Sequence, residues 1–240
     1  MTLPWLSLAD DAPFPPIEHA FEDGLVAAGG DLSPKRLLNA YQHGLFPWFN
    51  KDDPILWWSP NPRMVLFTDQ IKISKSLNKT LKRSSFIITF DRAFEEVMTA
   101  CSQPRTELTD DPNNDTWIHP EMIEAYVELH QQGYAHSIEC WQDDELVGGL
   151  YGIAIGHMFF GESMFSRARD SSKIALVTLC QQLSRWGFEM IDCQVYSEHL
   201  ASLGAQEIEQ GEFIKNINEL CQQAVPNAPW RLDSDLPKAR

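Results

Sequence analysis

Between His136 and Val195 the chain sets three apolar strand patterns in quick succession, then a long amphipathic helix, then another strand. The strands are expected at His136–Trp141, Leu146–Ile155 and His157–Phe165, and the later one at Met190–Val195. The helix is expected over Ser171–Trp186, with Ile174, Leu176, Val177, Leu179, Cys180 and Leu183 facing inward. Antiparallel strands that lead into a helix and then a further strand build an α+β layer. Upstream, Arg63–Phe67 and Phe86–Phe90 read as strands, and Ser74–Arg83, Ala93–Ala100 and Pro120–Gln132 as helices. Downstream, a short helix at Ser197–Leu203 and an amphipathic one at Glu212–Gln222 follow. The polar run from Gln103 to Thr116 reads as a long loop, and Val225–Arg240 as a loose Pro-rich tail.

The first sixty residues follow a different rule. Phe14-Pro15-Pro16, Gly29-Gly30-Asp31, Phe46-Pro47-Trp48-Phe49 and Trp57-Trp58-Ser59-Pro60 build rigid turns around buried rings rather than long elements. One helix stands out: Ser33 caps it, Pro34 suits its first turn, Leu37, Leu38 and Tyr41 share a face, and Gly44 ends it. A chain of 240 residues has room for one large domain or two. The change of pattern divides it into a smaller N-terminal α+β unit, residues 1–68, and a C-terminal unit, residues 69–240.

Five cysteines with no C-x-x-C pair argue against a disulfide framework or a zinc ribbon and for a reducing compartment. Pro4, Asp10, Asp11 and Pro13 interrupt any signal-peptide pattern, and the apolar run Leu146–Phe160 is too short to span a bilayer. A soluble cytoplasmic protein without a membrane partner is expected. The formal net charge of −15 disfavours a nucleic-acid partner, because phosphate contacts supply most non-specific affinity. The sum hides an asymmetry. From Ile71 to Phe90 there is no Asp or Glu, while Lys72, Lys75, Lys79, Lys82 and Arg83 fall within that window. Four of these share the outer side of the expected helix, as a solvated face or as a stripe that holds a polyanion. Acids gather elsewhere, in Glu107-Asp110-Asp111-Asp115 and in the group from Glu139 to Glu145, which reads more as a solvated turn than as a site that attracts a cationic N-terminus.

Standard sites are absent from the sequence: no Walker loop, no G-x-G-x-x-G after a strand, no G-x-S-x-G elbow and no H-x-x-x-H. Neither nucleotide cofactor nor metal is expected. Two segments stand out instead. In Phe159-Phe160-Gly161-Glu162-Ser163-Met164-Phe165-Ser166 a carboxylate sits inside an apolar run, so Glu162 is either paired or exposed in an apolar cleft. In Ile191-Asp192-Cys193-Gln194-Val195 the acid and the amide are two apart and project from one strand face. Such a trio binds an amine and a carbonyl, or else marks a polar edge strand with a capped loop.

The sequence resembles the leucyl/phenylalanyl-tRNA–protein transferase family over nearly its whole length. Five blocks in order carry the resemblance: Gly24-Leu25-Val26-Ala27-Ala28-Gly29-Gly30-Asp31-Leu32; Tyr41-Gln42-His43-Gly44-Leu45-Phe46-Pro47-Trp48; Trp57-Trp58-Ser59-Pro60-Asn61-Pro62-Arg63; the block from Phe160 to Ser166; and Asp192-Cys193-Gln194 with His199-Leu200-Ala201-Ser202-Leu203-Gly204-Ala205. The resemblance implies an N-acetyltransferase-like C-terminal domain behind a smaller N-terminal one. It implies transfer of Leu or Phe, and Met less well, from aminoacyl-tRNA to proteins with N-terminal Arg or Lys, marking them for N-degron degradation. By position it implies an aminoacyl pocket of Trp117, Tyr126, Phe159, Gly161, Met164 and Leu176. Its catalytic and acceptor groups fall on Glu162, Asp192 and Gln194, and its tRNA patch on the stripe from Lys72 to Arg83.

An aminoacyl ester is already activated, which fits the missing nucleotide site. Its attacker is an α-amine of pKa near 8, so deprotonation at neutral pH costs only about 1 kcal/mol. Positioning, worth up to roughly 7–11 kcal/mol, then carries the rate. In this scheme Gln194 accepts a hydrogen bond from the amine, Asp192 holds Gln194 or offsets developing charge, and Glu162 helps recognise an amine. The acidic balance implies salt-sensitive tRNA contacts confined to the acceptor end. Two other readings compete. A CoA-dependent N-acyltransferase would want a glycine-rich loop before the long helix, where Arg167-Ala168-Arg169-Asp170-Ser171-Ser172-Lys173 stands instead. A non-catalytic module binding N-terminal residues or tRNA ends would need the pocket but not Asp192 or Gln194.

Overall fold

The computed structural model describes residues 2–8, 13–83, 85–103, 116–224 and 229–236. The loop expected between Gln103 and Thr116, with Glu107, Asp110, Asp111 and Asp115, lies outside the described residues. The N-terminal rings and turns enclose strands too short for periodicity to betray. They are β1 (Trp5–Leu6), β2 (Leu25–Gly29), β3 (Phe46–Pro47) and β4 (Leu56–Trp58), with α1 (Pro34–Gln42) between β2 and β3. They form a sheet in the order β1-β2-β4-β3. The Ser33 hydroxyl accepts a hydrogen bond from the Arg36 amide and so caps α1, while Gly44, at φ +78°, lets the chain leave it. Trp57, fully buried, pins the sheet by donating its indole N–H to the Gly29 carbonyl at 2.9 Å.

The rest of the chain runs β5 (Arg63–Phe67), α2 (Lys75–Arg83), β6 (Ile87–Phe90), α3 (Phe94–Cys101), α4 (Pro120–Gln131), β7 (Ala135–Gln142), β8 (Glu145–Ile155) and β9 (Met158–Ser166). It continues with α5 (Ser171–Arg185), β10 (Met190–Gln194), α6 (Glu198–Ser202), β11 (Gln206–Ile208) and α7 (Gln210–Leu220). The expected C-terminal strands and helices all form, and β11, a three-residue strand, is added. Together they make a mixed α+β fold around a sheet in the order β11-β5-β10-β9-β8-β7-β6. β5, which precedes the boundary expected at residue 68, is a strand of this large sheet. Asp143 and Asp144, both at positive φ, close the β7–β8 hairpin in the sense that suits strand twist. Glu139 does not belong with them. It is fully buried and accepts hydrogen bonds from Ser137, Thr89 and the Ala93 amide, so the acid group read as one solvated turn is only partly that.

The large sheet is covered on both faces. Residues of α3, α4, α7 and the N-terminal unit share one continuous core with one face, reaching from Trp57 and Tyr41 to Met122, Phe160 and Phe213. The other face packs on α5 and α2 through Leu77, Leu81, Phe159, Ile174 and Leu183. Among the described residues no helix is long and apolar enough to cross a membrane.

One pairing decides where a site forms. β10 runs parallel to β9, reached through α5 as a parallel return requires, and pairs with it only from Met190↔Met158 to Asp192↔Phe160. Beyond that point β9 stays with β8 while β10 stays with β5. The sheet splits in its middle.

Candidate active site

A cavity of about 800 Å3 opens at this split. Its apolar lining includes Phe159, Met164, Ile191, Leu176 and Leu179, and Trp48 and Trp117 also border it. Gly161 lets the two strands come close where they part: a Cβ there would sit 3.3 Å from the Asp192 carbonyl oxygen. Trp117, Phe159, Gly161, Met164 and Leu176 thus line one cavity. Tyr126 does not. It is fully buried on α4 and reaches the site only through its hydroxyl, behind Glu162.

Glu162 stands on β9 just past the last residue paired with β10. Its Oε1 accepts from the Tyr41 hydroxyl at 2.7 Å and from Gln194 Nε2 at 2.9 Å. Its Oε2 accepts from the Tyr126 hydroxyl at 3.1 Å, and the two tyrosine hydroxyls also bond to each other. Three oxygen contacts among these groups meet only two hydroxyl protons; the third is completed when the carboxyl itself holds a proton. Burial, with the nearby Asp192 charge adding to it, pushes the Glu162 carboxyl up to about 7 despite its three donors. The same burial and the Glu162 charge raise the hydroxyls of Tyr41 and Tyr126 well above the usual range, so both remain donors.

Asp192 is supported in the opposite way, by a full positive charge. It is fully buried and takes both prongs of Arg63, Nε to Oδ1 at 2.8 Å and Nη2 to Oδ2 at 2.7 Å. Arg63 is itself buried, its guanidinium stacked between Phe46 and Phe213 at 4.8 and 4.6 Å from the ring centres. Asp192 Oδ1 also accepts from the backbone N–H of Gln194 at 2.8 Å. That bond holds Gln194 at φ +65°, a left-handed conformation rare for a residue with a side chain. The strand irregularity between Asp192 and Gln194 follows from it. Glu162, Asp192 and Gln194 therefore belong to one hydrogen-bonded chain, Arg63–Asp192–Gln194–Glu162–Tyr41/Tyr126. Since Gln194 commits its Nε2 to Glu162, its amide oxygen is the end left to accept a proton from a molecule in the cavity.

Sequence reasoning overlooked two members. Arg63 heads an apolar strand, and a charge in such a place needs a buried partner. Tyr41 lies on the inner face of α1, where a hydroxyl needs one too. Those signals say that partners exist without saying which.

The basic stripe lies apart from the cavity but is tied to its rim. Lys72, Lys75, Lys79, Lys82 and Arg83 are all exposed, and none forms an ion pair with a described residue. The Lys72 amide donates to the Leu203 carbonyl at 2.7 Å, next to α6, whose Leu200 lines the cavity. The Thr80 hydroxyl donates to Asp170 at the start of α5, which supplies Leu176.

The family described as leucyl/phenylalanyl-tRNA protein transferase matches residues 65–218, and the N-terminal domain of the same family matches residues 30–61. The chain belongs to this family of aminoacyltransferases. Leucyl/phenylalanyl-tRNA–protein transferases similar to it include one from Nitrosomonas eutropha, 57% identical over 97% of this chain and 98% of the relative. Another from Nitrosospira multiformis is 54% identical over 97% and 98% of the two chains. A third, from Chromobacterium violaceum, is 52% identical over 95% and 96%.

Proposed function

We propose that this protein transfers leucine or phenylalanine, and methionine less well, from tRNA to the α-amine of proteins beginning with Arg or Lys. The observation that carries the proposal is Gln194, locked in a left-handed turn at the mouth of an apolar cavity with its amide oxygen free to accept. In the reaction the amine nitrogen attacks the ester carbonyl carbon. The new C–N bond forms, the bond to the terminal ribose oxygen breaks, and the proton lost by the amine leaves with that oxygen. Gln194 Oε1 aims the amine by accepting one of its N–H bonds. Asp192, anchored by Arg63, positions Gln194 rather than receiving the proton. Glu162 orients the Gln194 amide and, when ionised, offers charge to an ammonium group. The apolar walls take the Leu or Phe side chain and discriminate one methylene by only about 1–3 kcal/mol.

The stripe from Lys72 to Arg83 is proposed to hold phosphates at the acceptor end of the tRNA. Its lack of counter-charges and its ties to α5 and α6 support this. CoA is disfavoured as the donor by Asp170, a carboxylate standing at the N-terminus of α5, where a pyrophosphate would need unopposed amides. An N-acetyltransferase-like C-terminal domain, with residues 1–68 as the N-terminal unit and 69–240 as the other, is supported by the mixed sheet that splits over the cavity. β5 would then stitch the first unit into the second. The product, an N-terminus that begins with Leu or Phe, suits recognition by cytoplasmic N-degron proteolysis.

The test is transfer of radiolabelled Leu or Phe from charged tRNA to an Arg-initiated peptide, without ATP or CoA. A Gly-initiated peptide and Gln194→Ala serve as controls. Transfer to the Arg peptide alone, lost in the variant, is expected. Charged tRNA that binds without transfer would overturn the enzyme reading in favour of a binding module.

A further inference from the structure

The matched family region ends at residue 218, yet residues 229–236 are built onto the core beneath the cavity. Gln182, fully buried on α5, clasps Asp233 at two points, its Oε1 accepting from the Asp233 amide at 2.8 Å and its Nε2 donating to Oδ2 at 3.1 Å. Arg185 adds a two-pronged contact to Asp235, both at 2.8 Å, and reaches Asp233 at 3.1 Å. What this clasp holds in place is Trp230. Its ring stacks on His136 at 3.6 Å with planes 7° apart, and meets Trp186 edge-on at 5.2 Å. It also lies against Phe188 and Phe159, each 6.0 Å away. His136 cannot yield, because Asp91 holds its Nδ1 at 2.7 Å.

Phe159 is the link to function. It is fully buried, borders the cavity and lies 6.0 Å from the Trp230 ring. A packed interior fixes such a ring only while both sides are filled. We propose that Trp230 is a positioning residue that backs Phe159 and so sets the depth of the aminoacyl side-chain pocket. The proposal rests on the transferase reading of the same cavity. With Trp230 in place the pocket floor is rigid; without it Phe159 relaxes into the space released and the pocket deepens. A deeper pocket gains contact with the longer phenylalanine side chain and loses it with leucine.

The measurement is the ratio of kcat/KM for Phe-tRNA to that for Leu-tRNA, with the full-length wild type, Trp230→Ala and Trp230→Phe. The ratio does not depend on the fraction of folded enzyme, since the same molecules act on both substrates. Trp230→Ala is expected to raise it about tenfold, the lower end of the range that a single methylene produces, and Trp230→Phe to restore most of the wild-type value. If Trp230→Ala does not fold, the double variant Asp233→Ala/Asp235→Ala loosens the clasp from the surface and is expected to shift the ratio in the same direction. An unchanged ratio in every folded variant, even with both rates lowered in step, would overturn the proposal. No transfer of either amino acid by the wild type would overturn the transferase reading first, and this one with it.

Discussion

The two carboxylates at the cavity stand on neighbouring strands and are supported in contrary ways. Asp192 is buried against a guanidinium that matches its charge and geometry. Glu162 is held by two phenols and an amide, which give hydrogen bonds but no positive charge. The first arrangement fixes a backbone and already occupies three of the carboxylate's lone-pair positions. The second leaves a carboxyl whose charge changes near neutrality, where a substrate amine also changes its own. Structural support and chemical availability have been divided between two acids that one sequence pattern would have treated alike.

The largest effect is expected at the Asp192 corner. Arg63→Leu strands a buried carboxylate and should lower unfolding free energy by about 3–5 kcal/mol in urea titrations. Arg63→Leu/Asp192→Leu, with no charge left to strand, should recover much of that loss yet remain inactive; recovered transfer would show that the pair only stabilises the fold. Next comes Gln194→Ala, which leaves both carboxylates in place and should reduce kcat/KM about a hundredfold, as misplacing an attacking group does. Single-turnover transfer rates measure it.

Glu162→Gln probes the other corner through pH. The carboxyl has a higher pKa folded, about 7, than its ordinary 4.5. The native state therefore binds more protons between those values, and wild-type stability should fall as pH rises from about 4.5 to 7 and then level. In Glu162→Gln that decline should be missing from thermal melts taken across the window. An inflection near 7 is expected in the wild-type KM for aminoacyl-tRNA, and Glu162→Gln should lose it. The smallest effect is expected for Tyr126→Phe. Removing one of three donors costs about 1 kcal/mol and raises the inflection further, because that donor favours the ionised form.

Much of this site could be read from the chain because its parts lie in elements with clear patterns. Glu162 interrupts an apolar strand, and Asp192 and Gln194 share one, so their types were informative. Their environment was not. Arg63 lies 129 residues from Asp192, and Tyr41 lies 121 from Glu162. Local periodicity can say that Arg63 begins a strand and that Tyr41 faces a core, but tertiary packing alone names the partner. The regularity expected at Asp192 and Gln194 failed for a related reason: a backbone bond to Asp192 turns Gln194 out of the extended region. Tyr126 was expected in the pocket wall, but the apolar face of α4 that buries it leaves its hydroxyl only Glu162 and Tyr41. β1, β3, β4 and β11 escaped notice because two or three residues do not sustain an alternation, and β2 because Leu25-Val26-Ala27-Ala28-Gly29 alternates neither in size nor in polarity. The division into two units was suggested by composition, yet β5 and the shared core join the units closely.

The splitting of β9 from β10 has one more consequence. Strand edges are ordinarily hazards, because their unpaired amides and carbonyls invite another chain to add on. Here two edges face each other across the cavity, beyond Phe160 and Asp192. A chain terminus that enters the gap meets backbone as well as side chains. Under the proposed reaction, acceptor residues after the first can be gripped by main-chain hydrogen bonds, which every polypeptide offers. One enzyme can then serve many protein termini while reading closely only the residue at the tip.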